Sequence, residues 1–188
     1  MTRVLVNSIV AEYRRYEALA KAALAQVPEA MLATPGPNGG NSIAVICWHV
    51  GGNLASRFTD FLTSDGEKPW RNRDEEFEGR SPDRATLVAQ WDRGWRILFE
   101  TLDGLTDQDL TRTVTIRRQP LAVHEALHRS LAHVAYHVGQ IVYLAHGHVG
   151  ADWKYLSIPP GQSVAYNANP GGETPAAAVE RLRGRPGT

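Results

Sequence analysis

A chain of 188 residues is long enough to bury one hydrophobic core without disulfides or structural metals, so we expect a single domain. Its 20 Lys and Arg side chains balance its 20 Asp and Glu side chains, which argues against a nucleic-acid partner. The single cysteine, Cys47, excludes an internal disulfide and fits a reducing compartment. No apolar run approaches a membrane span of about 20 residues, and the first residues do not resemble a signal peptide. We therefore predict a cytoplasmic protein without membrane partners.

The apolar spacing of four segments predicts four long helices, over residues 2–27, 42–63, 81–102 and 121–146. Proline and glycine in "TPGPNGGN" separate the first helix from the second, and Ser81-Pro82-Asp83 is a typical start for the third. Before the fourth helix, "TRTVTIRRQPLAV" is rich in β-branched residues, which predicts a short hairpin or extended excursion. The fold class that follows is an all-α four-helix bundle with a short β excursion before the fourth helix.

The C-terminal part of the chain is rich in glycine, proline and asparagine, which predicts an irregular tail. One short helix can begin at Thr174-Pro175. We predict that residues 1–168 form the bundle with the tail folded on it. Residues 169–188 are then a weakly ordered C-terminal segment.

The connection "SDGEKPWRNRDEEFEGR" between the second and third helices is long for a helical bundle. It mixes acidic and basic residues, so we expect a mostly solvated loop held by weak surface ion pairs. Trp70 is the exception, because a tryptophan at this place could form the rim of a pocket. In the preceding helix, Gly51 and Gly52 each lower helix propensity by about 1 kcal/mol, so we expect that close packing or a ligand needs the space.

Two histidines, His133 and His137, lie in the apolar part of the fourth helix, within "SLAHVAYHVGQIVYLAHG". Imidazoles four residues apart lie one turn apart on one helix face and can hold one metal ion. Val134 stands where a zinc protease of the H-E-x-x-H type has its general-base glutamate, so that class is excluded. His124 and His128 have the same spacing on the opposite side of the helix, and we interpret them as surface residues.

His49, in "CWHVGGNL", is the other histidine in a mainly apolar helical segment and is the candidate third ligand. Three neutral histidines from two helices leave a fourth coordination position for water or substrate, which is typical of catalytic sites. Imidazole ligands suit zinc, nickel, iron or copper, and the spacing does not choose among them. The alternative is a metal-free core in which the buried histidines are satisfied by hydrogen bonds.

Three polar residues lie near this predicted site. Gln140 shares the helix face of His133, and Tyr136 lies at its edge. Either could bond to a metal-bound water or substrate or orient a ligand, and either could instead be a buried polar group bonded to the backbone. Asn53, one turn past His49, could reach the same cavity, with packing as its alternative role.

One histidine on the second helix and H-x-x-x-H on the fourth resemble the DinB-like superfamily of metal-binding four-helix bundles. The segments "GNLASRFTDFLTSDGEKPWRNRDEEFEGR", "HVAYHVGQIVYLA" and "LSIPPGQSVAYN" are similar to its DUF1572 branch, whose function is not defined. The resemblance covers about residues 1 to 168. It implies an up-down-down-up bundle, a homodimer, and a divalent metal (zinc or nickel, with iron as a further option) held by His49, His133 and His137.

The superfamily includes thiol-dependent transferases and isomerases that use mycothiol or bacillithiol. The first hypothesis is therefore a metal-dependent transferase or hydrolase that acts on a small molecule, with a low-molecular-weight thiol or water in the open position. No carboxylate has the spacing of a general base, which favours transfer, because a metal can hold a thiolate directly. The second hypothesis is a non-catalytic metal-binding or stress-related dimer. The third is a metal-free structural bundle.

Overall fold

A computed structural model describes residues 2–184, which form mainly helices and one small sheet. The four predicted long helices are α1 (Val4–Leu24), α2 (Ile43–Phe58), α3 (Arg84–Asp103) and α4 (Val123–Val149). The predicted β excursion is an antiparallel hairpin of β1 (Thr113–Ile116) and β2 (Gln119–Ala122). Two short helices follow, α5 (Ser163–Ala168) and α6 (Pro175–Arg183). None of the helices in this described part of the chain is long and apolar enough to cross a membrane.

The predicted helix ends differ most from the structure at α2 and α4. α2 ends at Phe58 rather than at residue 63, because Thr59 adopts an extended backbone and Asp60 has a positive φ of 48°. α4 begins at Val123 rather than at residue 121, because residues 119–122 pair with β1. It continues to Val149, where Gly150, with a φ of 65°, turns the chain.

One hydrophobic core joins the long helices. α2 packs most extensively on α3 and also contacts α4, while α1 contacts α4 and α6. The largest fully buried side chains include Trp91, Trp95, Tyr13 and Phe58. The buried Tyr13 hydroxyl donates a hydrogen bond to the Leu127 carbonyl oxygen at 3.0 Å, which satisfies its polar group inside the core. This packing fixes α2 against α4, the two helices that carry the candidate histidines.

Glycines allow the backbones of α2 and α3 to touch. A Cβ atom at Gly94 would lie 2.5 Å from the Gly51 carbonyl oxygen and 2.7 Å from the Gly51 Cα. A Cβ atom at Gly51 would lie 2.7 Å from the Gln90 carbonyl oxygen. Any side chain at either position would therefore force the helices apart. The expectation of close packing is confirmed for Gly51.

The hairpin turn consists of Arg117 and Arg118, with positive φ angles of 52° and 62°. The Asp65 carboxylate accepts hydrogen bonds from both backbone N–H groups, at 2.8 Å and 2.7 Å. The Gly66 N–H donates to the Thr115 carbonyl oxygen at 2.8 Å. The segment that follows α2 is therefore fastened to the hairpin.

The tail contains α6, which begins at the predicted Thr174-Pro175 start. The Thr174 hydroxyl caps the helix by accepting from the Ala177 N–H at 3.2 Å. Val179 and Leu182 are buried, and α6 packs against α1. The prediction of weak order covers residues 169–188. The last four of these, residues 185–188, lie outside the described residues.

Candidate metal centre

The structure brings His49, His133 and His137 together between α2 and α4. One ring nitrogen of each lies within 4.8 Å of those of the other two. The Nε2 atoms of His49 and His133 are 3.1 Å apart, and the ring centroids of His133 and His137 are 4.6 Å apart. His49 and His137 are buried and His133 is half-buried. Three imidazoles this close could bind a metal ion.

Glu76, a buried carboxylate that sequence reasoning missed, holds His49 in place. The His49 Nδ1–H donates to Glu76 Oε2 at 2.8 Å. Arg71 donates to both oxygens of the same carboxylate, at 2.8 Å from Nε and 2.7 Å from Nη2. The Arg71 and Glu76 side chains are only 2% and 7% exposed. The expectation of a solvated loop is therefore wrong at these two residues, which form a buried ion pair beside the histidines.

Gln140 orients the His137 ring by a hydrogen bond, as Glu76 orients the His49 ring. The His137 Nδ1–H donates to Gln140 Oε1 at 2.8 Å, one turn further along α4. Because the Nδ1–H groups of His49 and His137 are bound to acceptors, the lone pair of each neutral ring lies on Nε2. Carboxylates and other acceptors commonly fix metal-binding histidines in this way.

The surroundings keep His133 and His137 neutral, which is the form that binds metals. Burial and then the charges of His137 and His49 lower the pKa of His133 to about 3. Burial also lowers the pKa of His137, although its hydrogen bond with Gln140 opposes this. Burial raises the pKa of Glu76, but the hydrogen bonds from His49 and Arg71 outweigh it, so the pKa lies below its ordinary value. The Glu76 carboxylate is therefore charged, while His133 and His137 are neutral.

One pair of ring nitrogens also has a separation that suits a metal ion. Ligand nitrogens bound at about 2.0–2.1 Å in a tetrahedral zinc site are roughly 3.3 Å apart, close to the separation of the His49 and His133 Nε2 atoms. His133 Nδ1 is buried and has no hydrogen-bond partner among residues 2–184, so its ring is held only by packing on that side. The residues present therefore fit a divalent ion that accepts imidazole ligands.

Residues 1–162 match a family model described as Protein of unknown function (DUF1572). The chain belongs to the DUF1572 family. The matched residues include all three histidines, Arg71, Glu76 and Gln140. Neither a curated protein nor a solved structure matches the chain.

Asn53, Tyr136 and Trp70 were also predicted for the site of this DUF1572 protein. They lie at different distances from the three histidines. Asn53 lines a cavity of about 200 Å³ together with His49 and His133. The Tyr136 ring is 5.0 Å from the His137 ring but is 64% exposed. Trp70 is also exposed and does not line this cavity; its ring lies under the Arg93 guanidinium at 6.0 Å. The structure therefore brings Asn53 and Tyr136 to the site but not Trp70.

Gly52 makes the space that Glu76 occupies. A Cβ atom at Gly52 would lie 3.0 Å from Glu76 Cδ and closer still to Oε1, so the carboxylate could not keep its place against His49. We expect Gly52→Ala to weaken zinc binding by about tenfold, because His49 loses its orientation. Competition titration against a zinc-binding dye measures the change.

The control for this variant is Gly139→Ala, at an exposed glycine of α4 where a Cβ would meet nothing within 4 Å. It should bind zinc as the wild type does. Equal zinc affinity of Gly52→Ala and wild type would show that Glu76 does not need this space.

Proposed function

We propose that this DUF1572 protein binds a divalent metal, zinc or nickel, through His49, His133 and His137, with one position open for a thiol or water. The observation that carries the proposal is the pair of Nδ1–H bonds, His49 to Glu76 and His137 to Gln140, at 2.8 Å each. They direct two Nε2 lone pairs into one small space. A metal there would lower the pKa of a bound thiol or water and present it as a nucleophile.

The cavity favours transfer of a thiol over hydrolysis. Among the described residues that line it there is no aspartate or glutamate that could serve as a general base. Glu76 lies behind His49 and is already bound by Arg71 on both oxygens. A thiol transferase needs such a base least, because metal coordination stabilises the thiolate. The setting we propose is a DinB-like four-helix bundle of α1–α4.

Metal content tests the proposal. Untagged wild-type protein, incubated with zinc and desalted, should carry about one ion per chain by plasma mass spectrometry. The double variant His133→Ala, His137→Ala should lose it. The matched control is His124→Ala, His128→Ala, which removes two histidines of the same spacing from the same helix and should retain the metal. No metal in the wild type, or equal loss in both double variants, would refute the site.

The second candidate function is a non-catalytic metal-binding homodimer. Tyr136 and Tyr143 are 64% and 73% exposed and lie two turns apart on one face of α4. Exposed Gly139 lies between them and has no side chain, so both aromatic rings are accessible on this face. Tyrosine is enriched in protein–protein interfaces. Sedimentation velocity tests the dimer. Metal-dependent turnover of electrophiles with low-molecular-weight thiols separates the enzyme from the binding protein.

A further inference from the structure

Arginine is the commonest residue type in the lining of the cavity that reaches His49 and His133. Its volume is about 200 Å³. The α2 side, the loop after α2, the hairpin and α4 each contribute guanidinium groups, which come from Arg57, Arg71, Arg73, Arg117 and Arg129. Within residues 2–184 no carboxylate lines the cavity. Such a concentration of one charge in a concave site attracts ligands of opposite charge.

Two carboxylates behind the cavity neutralise part of this charge. Glu67 accepts from Arg57 at 3.2 Å and from Arg117 at 2.7 Å. Glu76 accepts from Arg71, whose remaining Nη1 is buried, lies 3.8 Å from Glu67 Oε1 and has no hydrogen-bond partner in the described part of the chain. Two negative charges thus face three guanidinium groups, and the cavity keeps an excess of positive charge.

The other two arginines add to the excess. Arg129 is exposed, and no hydrogen bond or ion pair is found for it among the described residues. Arg73 stacks on Phe77 at 4.8 Å and lies 3.9 Å from exposed Asp74, a distance too long for a strong ion pair. Both side chains can therefore turn to a ligand without breaking a buried contact.

The crowding of these cations has a cost that an anion would remove. Burial is the largest cause that lowers the pKa of Arg57, and the charges of Arg71 and Arg117 lower it further against the opposing effect of Glu67. Like charges held together in a poorly solvated place repel each other more strongly than in water. A bound anion would replace this repulsion by attraction.

The hairpin turn gives an independent observation. Two-residue turns with positive φ at both positions strongly favour asparagine and glycine, yet this turn has Arg117 and Arg118. Asp65 compensates by accepting both backbone N–H groups. Asp65 thus stabilises a backbone conformation that arginine disfavours, which points to a role for the arginine side chains of the turn. One of them, Arg117, lines the cavity.

We propose that the cavity binds the oxyanion group, phosphate or carboxylate, of a small substrate, with the reacting part of that substrate directed to the three histidines. Guanidinium groups bind both oxyanions through paired charge-assisted hydrogen bonds. The cavity is smaller than the 300–1,000 Å³ typical of sites for drug-sized ligands, so it accommodates a small anion or the anionic end of a larger molecule. The position of the reacting part rests on the proposed metal function; the anion site does not.

Calorimetric titration with inorganic phosphate and with succinate, at constant ionic strength, tests the anion site in metal-free and in zinc-loaded protein. We expect saturable one-to-one binding in both forms, and the tighter of the two probes identifies the group. In Arg73→Ala, Arg129→Ala the dissociation constant should rise by roughly tenfold or more, because charge-assisted hydrogen bonds are lost. The matched control is Arg96→Ala, an exposed arginine of α3 outside the cavity, which should leave binding unchanged.

Three results would overturn the anion site: no saturable binding of either probe, equal affinity in the double variant and wild type, or equal weakening in Arg96→Ala. Binding only to zinc-loaded protein, without sensitivity to the double variant, would assign the anion to the metal instead and also overturn it. Metal content measured on the same samples keeps the two proposals apart. Anion binding without metal uptake supports the anion site and refutes the metal centre. Metal uptake without anion binding supports the metal centre and refutes the anion site.

Discussion

Replacing Glu76 with glutamine should weaken zinc binding by about 10- to 100-fold, because His49 loses the charged acceptor that orients its ring. The amide keeps the shape of the side chain but removes the negative charge that faces Arg71. Since Arg71 is almost fully buried, the metal-free variant should also lose about 3 kcal/mol of unfolding free energy. Zinc competition titration and urea unfolding of metal-free protein measure the two effects separately.

The control for Glu76→Gln is the same substitution at its exposed neighbour Glu75, whose carboxylate accepts a hydrogen bond from Asn72 at 2.6 Å. We expect that variant to match the wild type in zinc affinity and to change stability by less than about 0.5 kcal/mol. If folded Glu76→Gln protein bound zinc as tightly as the wild type, Glu76 would have a structural role only.

Gly94→Ala should destabilise the protein by about 3 kcal/mol, at the upper end of the usual cost of overpacking. The added Cβ would meet the backbone of Gly51, and backbone atoms in a packed helix cannot turn away as the end of a long side chain can. Because His49 lies two residues before Gly51, a shift of α2 should weaken zinc binding as well. Urea unfolding and zinc competition titration measure both results.

Gly139→Ala again provides the comparison for Gly94→Ala, since both glycines are inside long helices. At position 139 the new methyl group meets nothing, so the gain in helix propensity should raise stability by up to about 1 kcal/mol. Opposite signs for the same substitution would establish the contact between α2 and α3. Equal stability of Gly94→Ala and wild type would contradict it.

The helices were predictable because their signal is local. The stripe that includes Trp91, Trp95 and Leu98 predicts the buried face of α3, and all three are buried. The pairing of His133 with His137 depends only on the helical repeat, so it too follows from the sequence. The four-helix bundle arrangement, the metal and the homodimer stay predictions.

Glu76 was not predictable in the same way, because its burial depends on contacts that are distant in sequence. It lies 27 residues after His49 in a run of charged side chains that is typical of a solvated loop. Three conditions bury it: Arg71 neutralises it, His49 donates to it, and Gly52 leaves room for it. The available signal was the second glycine of the Gly51-Gly52 pair, which the contact between α2 and α3 does not require.

The segment between α2 and α3 belongs to both proposed binding sites. Arg71 lines the cavity and holds Glu76, and Glu76 in turn orients His49. An anion in the cavity and a metal at the histidines would each stabilise this arrangement of the segment. Their affinities would then be coupled reciprocally, so that each ligand raises the affinity for the other by the same factor. The protein would then bind each ligand most tightly when the other is already present.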